Sequence, residues 1–273
     1  DELTQQVHAE VTPVVAGQIH TRVSKESGLN SVDARNAYLY AGSMKNTASE
    51  ADIVNSDELT QQVHAEVTPV VAGQIHTRVS KESGLNSVDA RNAYLYAGSM
   101  KNTASEADIV NSDELTQQVH AEVTPVVAGQ LVTHVGEDEV NHNHLTKKYP
   151  RAGRMFDAAS KAGLVDEPGV VTITGEKLGK GLTASMEDSF NSGKWDRLAL
   201  QKVAEQSKLF SPDVLATVKG VITALLETSI RTSIGWGDRK DALDKVRTVQ
   251  ATGLVNDEDV ARLREQYLLR DSL

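Results

Sequence analysis

The chain has 273 residues, a net charge of −10 and no cysteine. The lack of cysteine excludes disulfides, zinc–thiolate sites and thiol catalysis. No run of 18 apolar residues occurs in the sequence, so we expect no insertion into a membrane.

A 56-residue repeat dominates the sequence. Residues 57–112 repeat residues 1–56 without a substitution, and a third copy holds from 113 to 130 before it diverges. Repetition on this scale is typical of arrays built from one supersecondary unit. We expect further repeats upstream of Asp1, because the sequence opens without a methionine and in mid-array. The predicted parts are repeat 1 (1–56), repeat 2 (57–112), a diverged terminal repeat (113–168) and a C-terminal helical region (169–273).

The first half of each repeat has helical periodicity. Apolar residues recur at spacings of four, four and three, which places them on one face of a helix: Leu3, Val7, Val11 and Val14. Thr12 followed by Pro13 predicts a break there, with Thr12 capping a new helix that has proline at its first position. Gly28 predicts the end of that second helix.

The second half of each repeat also predicts helices. A further helix fits residues 30–44, with Asn30 or Ser31 as its cap. The segment from Thr47 to Glu50 matches the capping-box spacing and predicts a short helix that runs toward Ser56, which is the candidate cap for the next repeat. The repeat therefore predicts three or four helices and no strand.

The C-terminal region has a different sequence pattern from the repeats. A short helix is predicted over residues 151–165, and the β-branched run with glycines in residues 169–179 predicts a small β-hairpin. Ser211 and Pro212 predict the start of a strong helix, and two final helices are separated by Gly253. The predicted fold class is mainly α, a helical tandem-repeat array with a small C-terminal α+β segment.

Three consecutive stretches of this region, "VTITGEKL", "TASMEDSFNSG" and "KWDRLALQKV", resemble the plakin (plectin-type) repeat. The resemblance covers roughly residues 170–204 and implies a β-hairpin followed by two antiparallel helices, and a role as a cytoskeletal linker. The 56-residue repeats lack the hairpin. Long arrays of near-identical repeats are also similar to repetitive cytoskeletal and flagellar proteins of trypanosomatid-type protists. The positions that match the plakin pattern are Thr174, Gly175, Leu178, Glu187, Phe190, Gly193, Trp195 and Asp196.

The charge distribution limits the partners. Each full repeat carries seven acidic and four basic residues, whereas residues 131–273 carry 21 acidic and 20 basic residues. The array is therefore the acidic part, and it has no basic stripe that could neutralise phosphates, which argues against nucleic acid as a partner. No lysine-rich amphipathic helix indicates a membrane surface.

Motifs for catalysis or cofactor binding are weak. The "TGEKLGKGLT" segment lacks the spacing of a phosphate-binding loop, and His8 with Glu10 lacks the cysteines of a zinc deaminase. We interpret the group of His134, His142 and His144 as a solvated acidic helix end, since histidines two apart on a helix face different sides. We predict no catalytic, cofactor-binding or metal-binding residues and no enzymatic activity.

The aromatic residues of the array are the candidate partner contacts: Tyr38 and Tyr40, with their copies Tyr94 and Tyr96. Tyrosines two apart on a helix face different sides, so one packs in the core and the other is freer to meet a partner or the next repeat. The spacing does not decide between core and contact. Trp195 and Trp236 are interpreted as core or turn anchors.

An array of identical units offers the same surface many times, which favours multivalent attachment to something periodic. The first hypothesis is a structural repeat protein that binds along or inside a cytoskeletal polymer, such as a tubulin polymer of the cytoplasm or of a flagellum or cilium. Two alternatives stay open: an extracellular repeat stalk or adhesin, and a C-terminal regulatory domain that the array tethers.

Overall fold

The protein is helical throughout the part that its computed structural model describes, which is residues 2–25, 31–81, 87–136, 147–191 and 204–269. No strand occurs within these ranges, so the mainly α prediction is confirmed. A 3₁₀ turn at Ser207–Leu209 and a π-helical segment at Glu265–Leu269 accompany the α-helices. The α-helices are α1 (Glu2–Lys25), α2 (Ser31–Glu50), α3 (Ser56–Lys81), α4 (Ser87–Glu106), α5 (Ser112–Val135), α6 (Tyr149–Lys161), α7 (Glu167–Asn191), α8 (Pro212–Gly235), α9 (Arg239–Gln250) and α10 (Asp257–Arg264).

Each 56-residue repeat holds one long and one short helix, and the prediction of three or four helices is wrong. The long helix α1 continues through Pro13, where we predicted a break. Proline removes the hydrogen bond to the carbonyl four residues earlier, which belongs to Ala9. Both residues are exposed. Solvent can therefore satisfy that carbonyl, and the helix tolerates the proline. Gly28, the predicted stop, lies outside the described residues.

The predicted capping box also has a different role. Thr47–Glu50 forms the last turn of α2 and does not open a new helix. The residue that caps the next helix is Asn55 and not Ser56, because the Asn55 side-chain Oδ1 accepts the backbone N–H of Glu58 at 3.2 Å. Local sequence could not separate the two sites, because serine, threonine and asparagine all favour helix starts.

The predicted β-hairpin of the C-terminal region is wrong as well. Residues 167–191 form the single helix α7. The β-branched run favours a strand locally, but Val170, Thr174 and Leu178 lie four residues apart and are all buried, so helical burial outweighs the strand propensity. The Thr174 hydroxyl donates to the Val170 carbonyl at 2.9 Å, a bond that threonine makes inside helices.

The chain divides into two compact units. The first consists of Asp1–Val127 and Asp157–Gly169, and the second of Ala128–Phe156 and Val170–Leu273. In the first unit α1 packs on α2 and α3, α3 packs on α4, and α2 packs on α4, so one helical hairpin stacks on the next. In the second unit α8 packs on α9, and the Tyr149 hydroxyl donates to the Leu178 carbonyl at 2.7 Å. The predicted sequence boundaries at 56, 112 and 168 lie at the starts of long helices.

A short turn, which we call the joint, precedes α3, α5, α7, α8 and α10. It contains two consecutive apolar residues followed by a residue with a short polar side chain, and the second apolar residue is always buried. At three of the other four joints the polar side chain caps the next helix as Asn55 does: Asn111 accepts the N–H of Glu114, Asp166 that of Gly169, and Ser211 that of Val214. The joints are Ile53-Val54-Asn55, Ile109-Val110-Asn111, Leu164-Val165-Asp166, Leu209-Phe210-Ser211 and Leu254-Val255-Asn256.

The joints recur in the C-terminal region, although the 56-residue repeat does not extend into it. They follow one another at intervals of 56, 55, 45 and 45 residues. Four of them are preceded by a residue with positive φ: Asp52, Asp108, Gly163 and Gly253. A left-handed residue ends a helix and turns the chain, so the same backbone conformation precedes joints in both units.

Candidate functional site

Each short helix exposes three large apolar side chains, which lie among exposed polar residues. On α2 these side chains, which we call the outer strip, are Val32, Leu39 and Tyr40, and the same strip recurs on α4. All six side chains are between 47% and 59% exposed. Exposed apolar surface that is not scattered but repeated in register is typical of an interaction site. The members of the second strip are Val88, Leu95 and Tyr96.

An arginine of the long helix covers the tyrosine of each outer strip. The Arg22 guanidinium carbon lies 5.1 Å from the centre of the Tyr40 ring, and Arg78 lies 5.5 Å from that of Tyr96. A cation over the face of an aromatic ring contributes about 0.5–1 kcal/mol at an exposed site. The contact therefore orients each ring without burying it, since about half of each tyrosine stays exposed.

The other two candidate tyrosines belong to the interior. Tyr38 and Tyr94 are fully buried, and burial raises the pKa of both phenols. The Tyr38 hydroxyl donates to Gln74 Oε1, and Gln74 Nε2 donates to the Val23 carbonyl at 2.8 Å. This buried chain joins α2, α3 and α1. Tyr38 and Tyr94 therefore stabilise the stack, and the candidate partner contacts on the surface are Tyr40 and Tyr96.

A threonine hydroxyl fastens each joint of the first unit to the long helix before it. The Thr12 Oγ1 accepts the backbone N–H of Asn55 at 3.2 Å. The same bond recurs from Asn111 to Thr68 at 3.2 Å, and at 3.1 Å in the third joint, where the donor is Asp166 and the acceptor Thr124. The N–H of a capping residue has no partner within its own helix, so the threonine supplies the acceptor that it needs.

Basic side chains bind the carbonyl of the positive-φ residue. Lys45 Nζ donates to the Asp108 carbonyl at 2.6 Å and to the Asp108 carboxylate, and Lys101 Nζ donates to the Gly163 carbonyl at 2.9 Å. His64 Nε2 also lies 3.3 Å from the Asp108 carbonyl. Each lysine lies on the short helix of the preceding hairpin. Burial lowers the pKa of Lys101. These bonds therefore link one hairpin to the joint of the next.

A glycine of each short helix lets the next hairpin come close. A Cβ added to Gly42 would lie 2.6 Å from the Ala107 carbonyl oxygen, and one added to Gly98 would lie 2.7 Å from the Ala162 Cβ. Both distances are shorter than real Cβ contacts allow. Glycine is required at this position of the repeat because a backbone packs directly against it.

The enzyme-like motifs have structural explanations. The "TGEKLGKGLT" segment lies inside α7, so it cannot wrap a phosphate as a loop. His8 Nε2 lies 3.0 Å from the Asp52 carbonyl, as a cap of the first joint. Burial, and then the charges of Arg151 and Lys148, lower the pKa of His134. His142 and His144 lie outside the described residues, and within those residues no three histidine, aspartate or glutamate side chains converge as a metal site would require.

Trp236, which we interpreted as a core or turn anchor, lies in the turn after α8 and is 83% exposed. A core position for it is therefore wrong. Trp195 lies outside the described residues.

The second unit contains a cleft of about 360 Å³ between α7 and α8. Its charged side chains are Lys180 and Glu187, and threonines and apolar residues form the rest of its walls. Among the described residues that line the cleft, none is a histidine and Glu187 is the one carboxylate. The outer strip, which recurs, is the better candidate site.

Sequence reasoning placed the junction near Ser56 but missed the three-residue pattern of the joint, although its signal was present. The pattern of two apolar residues and a capping residue is legible at Ile109-Val110-Asn111 and Leu254-Val255-Asn256. Its importance depends on the positive φ before it and on the distant threonine, which spacing alone does not reveal.

Among the helices that the structure describes, none combines the length and the apolar character needed to cross a bilayer. The match to the plakin pattern stays a prediction, although its hairpin is wrong, and part of it, Gly193, Trp195 and Asp196, lies outside the described residues. No protein-family model, curated protein or solved structure matches this chain.

Proposed function

We propose that this chain is a structural repeat protein that binds along or inside a cytoskeletal polymer through the outer strips of its short helices. The observation that supports the proposal is the recurrence of one exposed apolar strip, with the same arginine-covered tyrosine, on α2 and α4. Because α2 packs on α4, the two strips keep a fixed spacing. Equal weak contacts at a fixed spacing add together on a partner whose own sites are periodic.

Charge favours contact by packing over contact by attraction. The array is acidic, so net charge does not draw it to an acidic polymer such as a microtubule. The outer strips themselves carry no acidic side chain. Apolar contacts made by Leu39 and Tyr40, and by their copies, supply the affinity in this proposal. A cytoskeletal location, including a flagellum or cilium, follows from the same proposal.

The experiment is co-sedimentation of the chain with assembled microtubules, and with actin filaments as a second polymer. We expect Tyr40→Ser and Tyr96→Ser to weaken binding by the same factor, because the two strips are identical. The double variant is expected to lose the product of the two factors. Ile173→Ser is the control, since Ile173 is 48% exposed and lies outside the array.

Binding to neither polymer would refute the proposal. Equal affinity of the double tyrosine variant and the parent chain would refute the role of the outer strips.

A further inference from the structure

The face of α1 that points away from α3 is open, although the same residues are covered in the next copy of the repeat. Leu3 is 74% exposed and Val7 is 37% exposed, whereas their copies Leu59 and Val63 are both 0% exposed. The sequences around them are identical. The difference therefore arises from what packs against each helix and not from the residues themselves.

The same contrast extends beyond the first turns of α1. Ile53 in the first joint is 42% exposed, and its copy Ile109 is 0% exposed. Gln18 is exposed, and its copy Gln74 is buried between Tyr38 and the Val23 carbonyl. We call Leu3, Val7, Gln18 and Ile53 the acceptor face. It combines an apolar surface with the side-chain amide of Gln18. The counterpart of that amide, on Gln74, is buried and makes two hydrogen bonds.

The counterparts specify what would fit the acceptor face. In the next copy, a tyrosine hydroxyl binds the glutamine, Lys45 binds the Asp108 carbonyl, and Gly42 allows the Ala107 backbone to approach. An occupant must therefore present tyrosine, glycine and lysine at intervals of four and three residues on one helix. The short helix of this repeat has that arrangement.

We infer that the acceptor face of α1 binds another helical hairpin of this same repeat, stacked as α1 and α2 stack on α3 and α4. The interface is the established one between hairpins, continued by one unit. It needs no partner of a different sequence, and it does not depend on binding to a polymer.

Cysteine labelling tests the inference, because the chain has no cysteine of its own. Val7→Cys and Ile53→Cys are each introduced into the parent chain, and into a chain that carries one additional copy of residues 1–56 ahead of Asp1. We expect the maleimide labelling rate of both thiols to fall by about a hundredfold or more in the extended chain, since labelling then requires local opening. In the extended chain, the two thiols should label as slowly as the thiols of Val63→Cys and Ile109→Cys do in the parent chain.

Two controls make the outcome specific. Ile173→Cys should react equally fast in both chains. Gly42→Leu, placed in the added copy only, should restore fast labelling, because its side chain would meet the backbone of the next hairpin.

Unchanged labelling of both thiols in the extended chain would overturn the inference. It would also be overturned if both thiols already labelled in the parent chain as slowly as those of Val63→Cys and Ile109→Cys, because the acceptor face would then be covered without a further hairpin.

Discussion

Leucine-to-alanine substitution at the same place in two copies of the repeat measures the energy of stacking directly. Leu3 and Leu59 have the same neighbours in sequence, but Leu59 is fully buried and only about a quarter of Leu3 is covered. Leu→Ala in a packed interior costs about 2–5 kcal/mol of unfolding free energy. Covering a quarter of a leucine is worth about 0.5 kcal/mol, from about 1.5–3 kcal/mol for complete burial. We therefore expect Leu59→Ala to destabilise the chain several times more than Leu3→Ala.

The assay is urea unfolding followed by circular dichroism at the helical band. With a slope of about 1–3 kcal/mol per molar urea, Leu59→Ala is expected to move the midpoint down by about 1 M or more, and Leu3→Ala by a few tenths at most. A stacked array can unfold in parts, so the lowest transition is the one to compare. Equal shifts for the two variants would refute the reasoning, because burial by the preceding hairpin would then carry no energy.

Three further substitutions test the joint and the second unit. Thr68→Val removes the hydroxyl that accepts the capping N–H and should cost about 1–3 kcal/mol in urea unfolding, whereas Thr68→Ser should cost less; equal losses would contradict that role. Gly42→Ala should destabilise by about 1–3 kcal/mol, while Gly17→Ala, which meets nothing within 4 Å, should be neutral or stabilising in the same assay. The hydrogen bonds of the Lys245 ammonium and of a serine hydroxyl hold the pKa of Asp241 below its usual value. The stability that this adds is present above pH about 4 and is lost as pH falls through the lowered pKa, so Asp241→Asn should flatten the acid limb of the unfolding profile; parallel profiles for parent and variant would contradict it.

The helical nature of the array was predictable, whereas the number of helices was not. Apolar spacing correctly indicated helix over the residues of α1 and around Tyr38, but not the length of either helix. The break expected at Pro13 was wrong because its effect depends on whether the orphaned carbonyl faces solvent, which is a tertiary property. The hairpin expected near Thr174 was wrong for a similar reason, since burial at every fourth residue outweighed a local strand preference.

The candidate site was predictable in part. The two-residue spacing of the tyrosines predicted that one would be inside and one outside, which the burial of Tyr38 and the exposure of Tyr40 confirm. It could not say which was which, because that depends on how the helix lies against its neighbours. The arginine above Tyr40 lies on another helix, so no local sequence pattern predicted the contact.

The bond between a lysine and the carbonyl of the positive-φ residue has a consequence for how this gene can change. Donor and acceptor belong to consecutive copies, so every internal copy uses both ends of the same contact. Unequal crossing-over that inserts or removes a whole copy leaves each remaining junction chemically unchanged, and array length can vary in single steps without a new interface. A point substitution at Lys45 or Gly42 in one copy, in contrast, creates a junction unlike its neighbours. Copy number can therefore change without altering a junction, whereas a substitution at a junction residue alters it.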